Sequence, residues 1–244
     1  MQQETPAANP SRRPRTVAPG HALLWFAEAI RLWKRAPLTF SLMAVVVLAL
    51  SIALDPVPIA GLIASNVVAP LLACGFLYGS LAADRAAKPR FAHLFAVFAS
   101  PLRAQLAVVA AGLVVTVVEG ALAWYLAEIN LFMPVQDVSA LSGPAIMAIY
   151  AAGVAASLPL TFVPMAVLFD GESPRDAFAS SLRAFALNVR ALVSLGIYIY
   201  ALLMVGIVTT GAGLVLGLPW IAAASYAAWK DVFDVPAGGS AARQ

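Results

Sequence analysis

Residues 191–229 read ALVSLGIYIYALLMVGIVTTGAGLVLGLPWIAAASYAAW, 39 consecutive positions without a formal charge. A continuous α-helix of that length would be about 58 Å long, roughly twice the ~30 Å hydrocarbon core of a bilayer. The stretch therefore reads as two spans, about 191–208 and 213–229, with Thr209-Thr210-Gly211-Ala212-Gly213 as the turn between them. Toward the N-terminus the same reading applies to four earlier runs, at about residues 38–54, 59–82, 105–126 and 145–169. The first of these has no charge over 17 residues and is broken by Asp55-Pro56-Val57-Pro58. Composition agrees: 62% of the chain is hydrophobic and 11% charged, against ~45–50% and ~25% in soluble domains. Mean hydropathy is +0.88. A soluble chain of 244 residues could not hide so much apolar surface, whereas lipid solvates it. The expected fold is all-α: a polytopic bundle of six transmembrane helices.

The charges give an orientation. Six bases precede the first span (Arg12, Arg13, Arg15, Arg31, Lys34 and Arg35), and four lie between the second and third (Arg85, Lys88, Arg90 and Arg103). Arg175, Arg183 and Arg190 separate the fourth from the fifth, and Lys230 and Arg243 follow the sixth. The alternate loops hold only acids: Asp55, Glu128 and Asp137. Bases are retained on the cytoplasmic side during insertion. The pattern thus predicts both termini in the cytoplasm, and the 12 Arg against 3 Lys with abundant alanine suit a bacterium and hence its inner membrane. The net charge of +3 reads as topology, with membrane lipids and not nucleic acid as the expected partner. Residues 1–20, with Pro6, Pro10, Pro14, Pro19 and three arginines, read as a disordered tail and not a secretory signal. Residues 21–234 form the six-span domain, and 235–244 a flexible tail.

Three amphipathic stretches lie between the spans. In His21–Arg35, Leu23, Phe26, Ile30 and Trp33 share one helical face, with Glu28, Arg31 and Arg35 on another. Such a helix suits the membrane interface or a packed position on the bundle. In Phe91–Arg103, the α-helical period gives Phe91, Leu94, Phe95 and Phe98 as the apolar face. After Asp170, Ser173 is a good N-cap, Pro174 takes the first helical position and Asp176 supplies acid to the first turn. Phe178, Leu182 and Phe185 form one face of the helix that follows. Each stretch precedes a pair of spans, at about residues 21–84, 90–170 and 174–231. Pro70, Pro159 and Pro219 lie 11 to 14 residues before an exit aspartate, respectively Asp84, Asp170 and Asp231. The pattern is either a parallel internal repeat or a coincidence of proline-containing hairpins.

Several of these residues carry a resemblance over roughly residues 19–234. They are Trp25 and Phe26 before Lys34-Arg35-Ala36-Pro37, Pro70 and Gly75, Leu94-Phe95, Ser173-Pro174 with Ala177, Ser181 and Asn188, then Pro219 and Tyr226 to Phe233. In this order they resemble a family of uncharacterised bacterial six-span inner-membrane proteins. That family is similar in plan to the membrane region preceding some glycerophosphodiester phosphodiesterases. The resemblance implies six spans and brings no catalytic residues; no phosphodiesterase domain is expected here.

Chemistry-bearing motifs are scarce. The histidines are His21 and His93, both at the expected cytoplasmic interface. HExxH, a Gly-rich phosphate loop and a GxSxG elbow are all missing from the sequence. No catalytic, cofactor or metal residue is therefore assigned. The lone Cys74 reads as a small packing residue. Gly75–Gly79 and Gly213–Gly217 are GxxxG patterns that allow close helix approach. Glu119 stands out as the candidate intramembrane polar site. It lies 16 residues past Arg103, about 24 Å along a helix, in the expected outer half of the bilayer. An ionisable group there is costly unless paired, protonated or wetted. Asn66, in the second span, is the second candidate, with an interhelical hydrogen bond as its simpler role. The expected function is a non-enzymatic membrane scaffold or envelope-maintenance component. The alternative is a small transporter or lipid-handling protein using Glu119 and Asn66.

Overall fold

The computed structural model describes residues 12–54, 57, 61, 63–130 and 141–236. The expected tail 1–11, the break at residues 55–58 apart from Val57, most of the outer loop after Ala127 and the tail from residue 237 lie outside the described residues. The described chain is helical throughout, with no strand. Its nine α-helices are α1 (His21–Trp33), α2 (Pro37–Leu54), α3 (Ala69–Asp84), α4 (Leu102–Ala127), α5 (Gly143–Ser157), α6 (Val163–Leu168), α7 (Pro174–Leu187), α8 (Val189–Val208) and α9 (Leu214–Val232). A π-helical turn, Ala64–Val68, leads into α3, and a 3-10 helix, Phe91–Ala99, precedes α4. Pro159 lies in a 3-10 turn, Leu158–Leu160, that joins α5 to α6.

Four stretches are long and apolar enough to cross a bilayer: Asn66–Asp84, Leu102–Ala127, Gly143–Leu168 and Val189–Val208. The pair α1 and α2, bent by 99°, makes a fifth if taken together. The chain is thus an all-helical membrane protein with four to five candidate spans among the described residues, fewer than the six expected. The shortfall has a physical source. The last turns of α9 carry Ser225, Tyr226, Lys230 and Asp231, which dilute its hydropathy.

The threefold pattern reappears as a ring. Each unit has a lead-in segment (α1, the 3-10 helix Phe91–Ala99, or α7), an outgoing helix (α2, α4 or α8) and a returning helix (α3, α5–α6 or α9). α1 and α2 pack on α9; the 3-10 helix and α4 pack on α3; α7 packs on α6 and the turn before it, and α8 on α5. Every lead-in and outgoing helix therefore docks on the returning helix of the preceding unit, and the first unit docks on the third. Each returning helix also stops at a left-handed residue just past its exit aspartate: Ala86, Gly171 and Asp234.

The lead-in segments differ in detail from their sequence reading. α1 is packed on the bundle through Ala22, Trp25, Ala29 and Leu32. Leu23 is 61% exposed. α7 starts as expected, with Ser173 Oγ accepting from the Asp176 N–H at 3.3 Å. Its buried stripe is Ala177, Ser181 and Ala184, continued by Asn188, while Leu182 is exposed. In α7 small residues face protein and Leu182 turns outward, as close helix approach requires; α1 mixes Ala22 and Ala29 with Trp25 and Leu32 on its inner face. The second lead-in is not α-helical. Its 3-10 winding repeats every three residues, so it splits the expected face. Leu94 and Val97 point inward and are fully buried, whereas Phe95 and Phe98 point out. The 3-10 helix presses its backbone onto Gly75, where a Cβ would lie 2.5 Å from the Leu94 Cα. Glycine at 75 is therefore what admits this segment.

Candidate functional site

The three returning helices meet at their C-terminal ends. Tyr78 of α3, Phe169 after α6, and Tyr226 and Trp229 of α9 form an aromatic knot. Ring centroids lie 5.2 Å apart for Tyr78–Phe169, 5.7 Å for Phe169–Trp229 and 5.8 Å for Tyr226–Trp229. The exit aspartates surround it. Asp84, only 4% exposed, accepts from Lys230 Nζ at 2.6 Å and from the Tyr226 hydroxyl at 3.1 Å, with Arg31 at 3.8 Å. Both close partners come from α9, so this pair ties the third unit to the first.

Asp231 binds the N-terminal segment and α1. It accepts from Arg15 Nη2 at 2.7 Å, His21 Nδ1 at 2.6 Å and Trp25 Nε1 at 2.9 Å. Burial opposes its charge, but the hydrogen bonds from His21, Trp25 and Arg15 outweigh that effect and hold its carboxyl below the usual range. Asn188 clamps the same segment: its Nδ2 donates to the Arg15 carbonyl at 2.9 Å and its Oδ1 accepts the Val17 N–H at 2.7 Å. The end of the expected disordered tail is thus fastened to the bundle. Asp170 is held more loosely, with Arg12 at 3.9 Å. Burial pushes its carboxyl up to about 6, and Arg12 offsets only part of that.

Ser181 performs a separate repair. Its hydroxyl donates to the Pro159 carbonyl at 2.7 Å and accepts the Phe162 N–H at 3.2 Å. It thereby satisfies backbone groups freed where α5 breaks, which lipid could not do. Trp25, Gly75, Ser181, Asn188 and Tyr226 are all points where the units join.

The two candidate polar residues of the spans lie on elements that touch, α4 and the turn Ala64–Val68. Glu119 lies on α4 and is half-buried against α5. A Cβ built on Gly153 would overlap its carboxylate. Among the described residues no hydrogen bond or ion pair reaches that carboxylate. Asn66 sits half-buried in the π-helical turn before α3, and no hydrogen bond joins it to Glu119. A crevice between α2 and α3 is lined by Val47, Leu50, Ser51, Val68, Ala69 and Leu72, with neither candidate on its wall.

Sequence reasoning identified the exit aspartates as a pattern but not as ion-pair centres. Their spacing from proline was the available signal; their partners are up to 216 residues away. Chemically, the His21–Asp231 pair has the first two members of a nucleophile relay. Among the described residues no serine, threonine or cysteine bonds the His21 ring, and no three His, Cys, Asp or Glu side chains group as metal ligands. The aspartates act here as ties. No family model, curated protein or solved structure matches this chain.

Proposed function

We propose that the chain is a non-enzymatic structural component of a bacterial inner membrane, a six-span scaffold or envelope-maintenance protein with both termini in the cytoplasm. The observation that carries this reading is the use made of Asp84 and Asp231. Each joins segments far apart in sequence, and their oxygens are taken up by those ties. The six-span count rests on the two apolar runs within 191–229, together with α2 and the resemblance over residues 19–234. The orientation rests on the one-sided distribution of all 15 bases.

Topology is tested by single cysteines in a chain with Cys74→Ala. Cysteines at Gln136 and Thr210 should react with an impermeant thiol reagent in intact spheroplasts. Those at Ala87 and Ser240 should react only once the membrane is opened. Labelling of position 87 or 240 in sealed cells would overturn the arrangement. The scaffold role is tested by copurification in native lipid followed by mass spectrometry of the complex. A stoichiometric protein partner is expected; a chain recovered alone, with a transported solute in its place, would favour the transporter reading.

A further inference from the structure

The bases of the three units are used differently. In the first unit the arginines are spent inside the molecule, and Lys34 alone is exposed without an ion pair or side-chain hydrogen bond among the described residues. Arg31 pairs with Glu28, and Arg35 donates to the Ala83 carbonyl. Upstream of α1, Arg15 bridges Asp231 and Asp234. In the second and third units, Lys88, Arg90, Arg103, Arg175, Arg183 and Arg190 are exposed, and none forms an ion pair among the described residues. The acids that could neutralise them are engaged elsewhere. Asp84 holds Lys230, Glu172 accepts from Ser180, and Asp176 accepts from the Ser173 hydroxyl that caps α7.

Exposed apolar side chains sit among these free bases. On the second lead-in, Phe95 and Phe98 form the outward row of the 3-10 helix, between Arg90 and Arg103. On the third, Leu182, Leu187 and Val189 are exposed beside Arg183 and Arg190. Guanidinium groups bind phosphate oxygens through paired hydrogen bonds, and the neighbouring rings and leucines suit acyl chains. We infer that the lead-in segments of the second and third units form an anionic-phospholipid binding surface, in which Arg90, Arg103, Arg183 and Arg190 hold phosphate headgroups while Phe95, Phe98 and Leu182 contact the chains. The first unit keeps only Lys34 exposed without an ion pair or side-chain hydrogen bond among the described residues, where the other two each present at least two free guanidinium groups. Juxtamembrane bases attract anionic lipid generally; here the second and third of the three equivalent positions carry the selectivity.

The test uses the full chain in phosphatidylcholine bilayers with spin-labelled phosphatidylglycerol or spin-labelled phosphatidylcholine as probe. The motionally restricted fraction gives the relative association of each lipid. The parent should prefer phosphatidylglycerol by about fivefold or more, and the preference should fall as NaCl is added. The quadruple variant Arg90→Gln, Arg103→Gln, Arg183→Gln, Arg190→Gln should lose most of it, and the corresponding lysine variant should keep it. Equal association of both lipids with the parent would overturn the inference, as would a preference retained by a folded glutamine variant. If that variant does not fold, the lysine variant and the salt series decide: a preference insensitive to salt, or lost with charge preserved, also overturns it.

Discussion

The two ends of the helical bundle treat ionisable groups in opposite ways. Where the returning helices finish, Asp84 and Asp231 each have several partners and are packed around an aromatic knot. Toward the other end of α4, Glu119 lies against Gly153 with no hydrogen bond or ion pair among the described residues. The first end is fixed by charge and hydrogen bonds that join sequence-distant units. The second is held by close packing of small residues. Cross-linking between units is therefore concentrated at the end rich in bases, and a substitution of the same kind should cost more there.

The largest effect is expected for Asp84→Ala. It leaves the Lys230 ammonium without its 2.6 Å partner in a site with little solvent, and breaking such a pair costs about 3–5 kcal/mol. Unfolding in detergent, followed by circular dichroism, would register it; a change under about 1 kcal/mol would show that water reaches this pair. A pair of glycine substitutions sharpens the contrast. Gly75→Ala drives a Cβ into the backbone of Leu94, which cannot move without displacing the whole 3-10 helix, so about 1–3 kcal/mol should be lost. Gly153→Ala meets the Glu119 side chain from Cγ outward, with no backbone among the three nearest atoms, so that side chain can turn away to another rotamer. The helix gains about 0.5–1 kcal/mol from replacing glycine, so this variant should stay within about 1 kcal/mol of the parent. Equal losses at the two glycines would remove the distinction between the ends.

The smallest effect is a pH dependence. Folded Asp170 keeps its proton up to about pH 6, whereas its unreacted counterpart in the unfolded chain titrates near 3.8. The folded state therefore binds more protons between these values, and the contribution of Asp170 to stability increases as pH falls through that window. Asp231 acts in the other direction, but its depressed carboxyl places the loss below 3.8. Parent protein should gain in Tm relative to Asp170→Asn on going from about pH 7 to about pH 5. Parallel Tm profiles for the two would show that Asp170 is fully hydrated.

Much of the helical layout was legible. The charge-free runs located the long helices, and the Ser173 cap marked the start of α7 because capping is a local interaction. The faces of the lead-in segments were not. The helical period puts Leu23 and Leu182 on the apolar faces without saying whether those faces meet lipid or protein, and they turn out while Ala29 and Ser181 face in. Lipid accepts leucine as readily as a protein core does, so close approach between helices decides the inward face. The 3-10 winding of Phe91–Ala99 was likewise hidden. It depends on Gly75, which precedes the segment by more than 15 residues and touches it only in the folded bundle. Glu119 was found from its chemistry alone, but its neighbour Gly153 was not, because a glycine gives no sign of what it makes room for.

The closure of the ring has a consequence for the order in which the chain can be completed. Arg15 and Asp231 are 216 residues apart, so the segment before α1 waits for α9. At about 5–20 residues per second, that interval is roughly 10–40 s. Throughout it α1 has no α9 to cover Trp25, and α2 lacks its main neighbour. The first unit, although made earliest, is the last to reach its final surroundings, and the surface it shows while waiting is available to whatever machinery attends the growing chain.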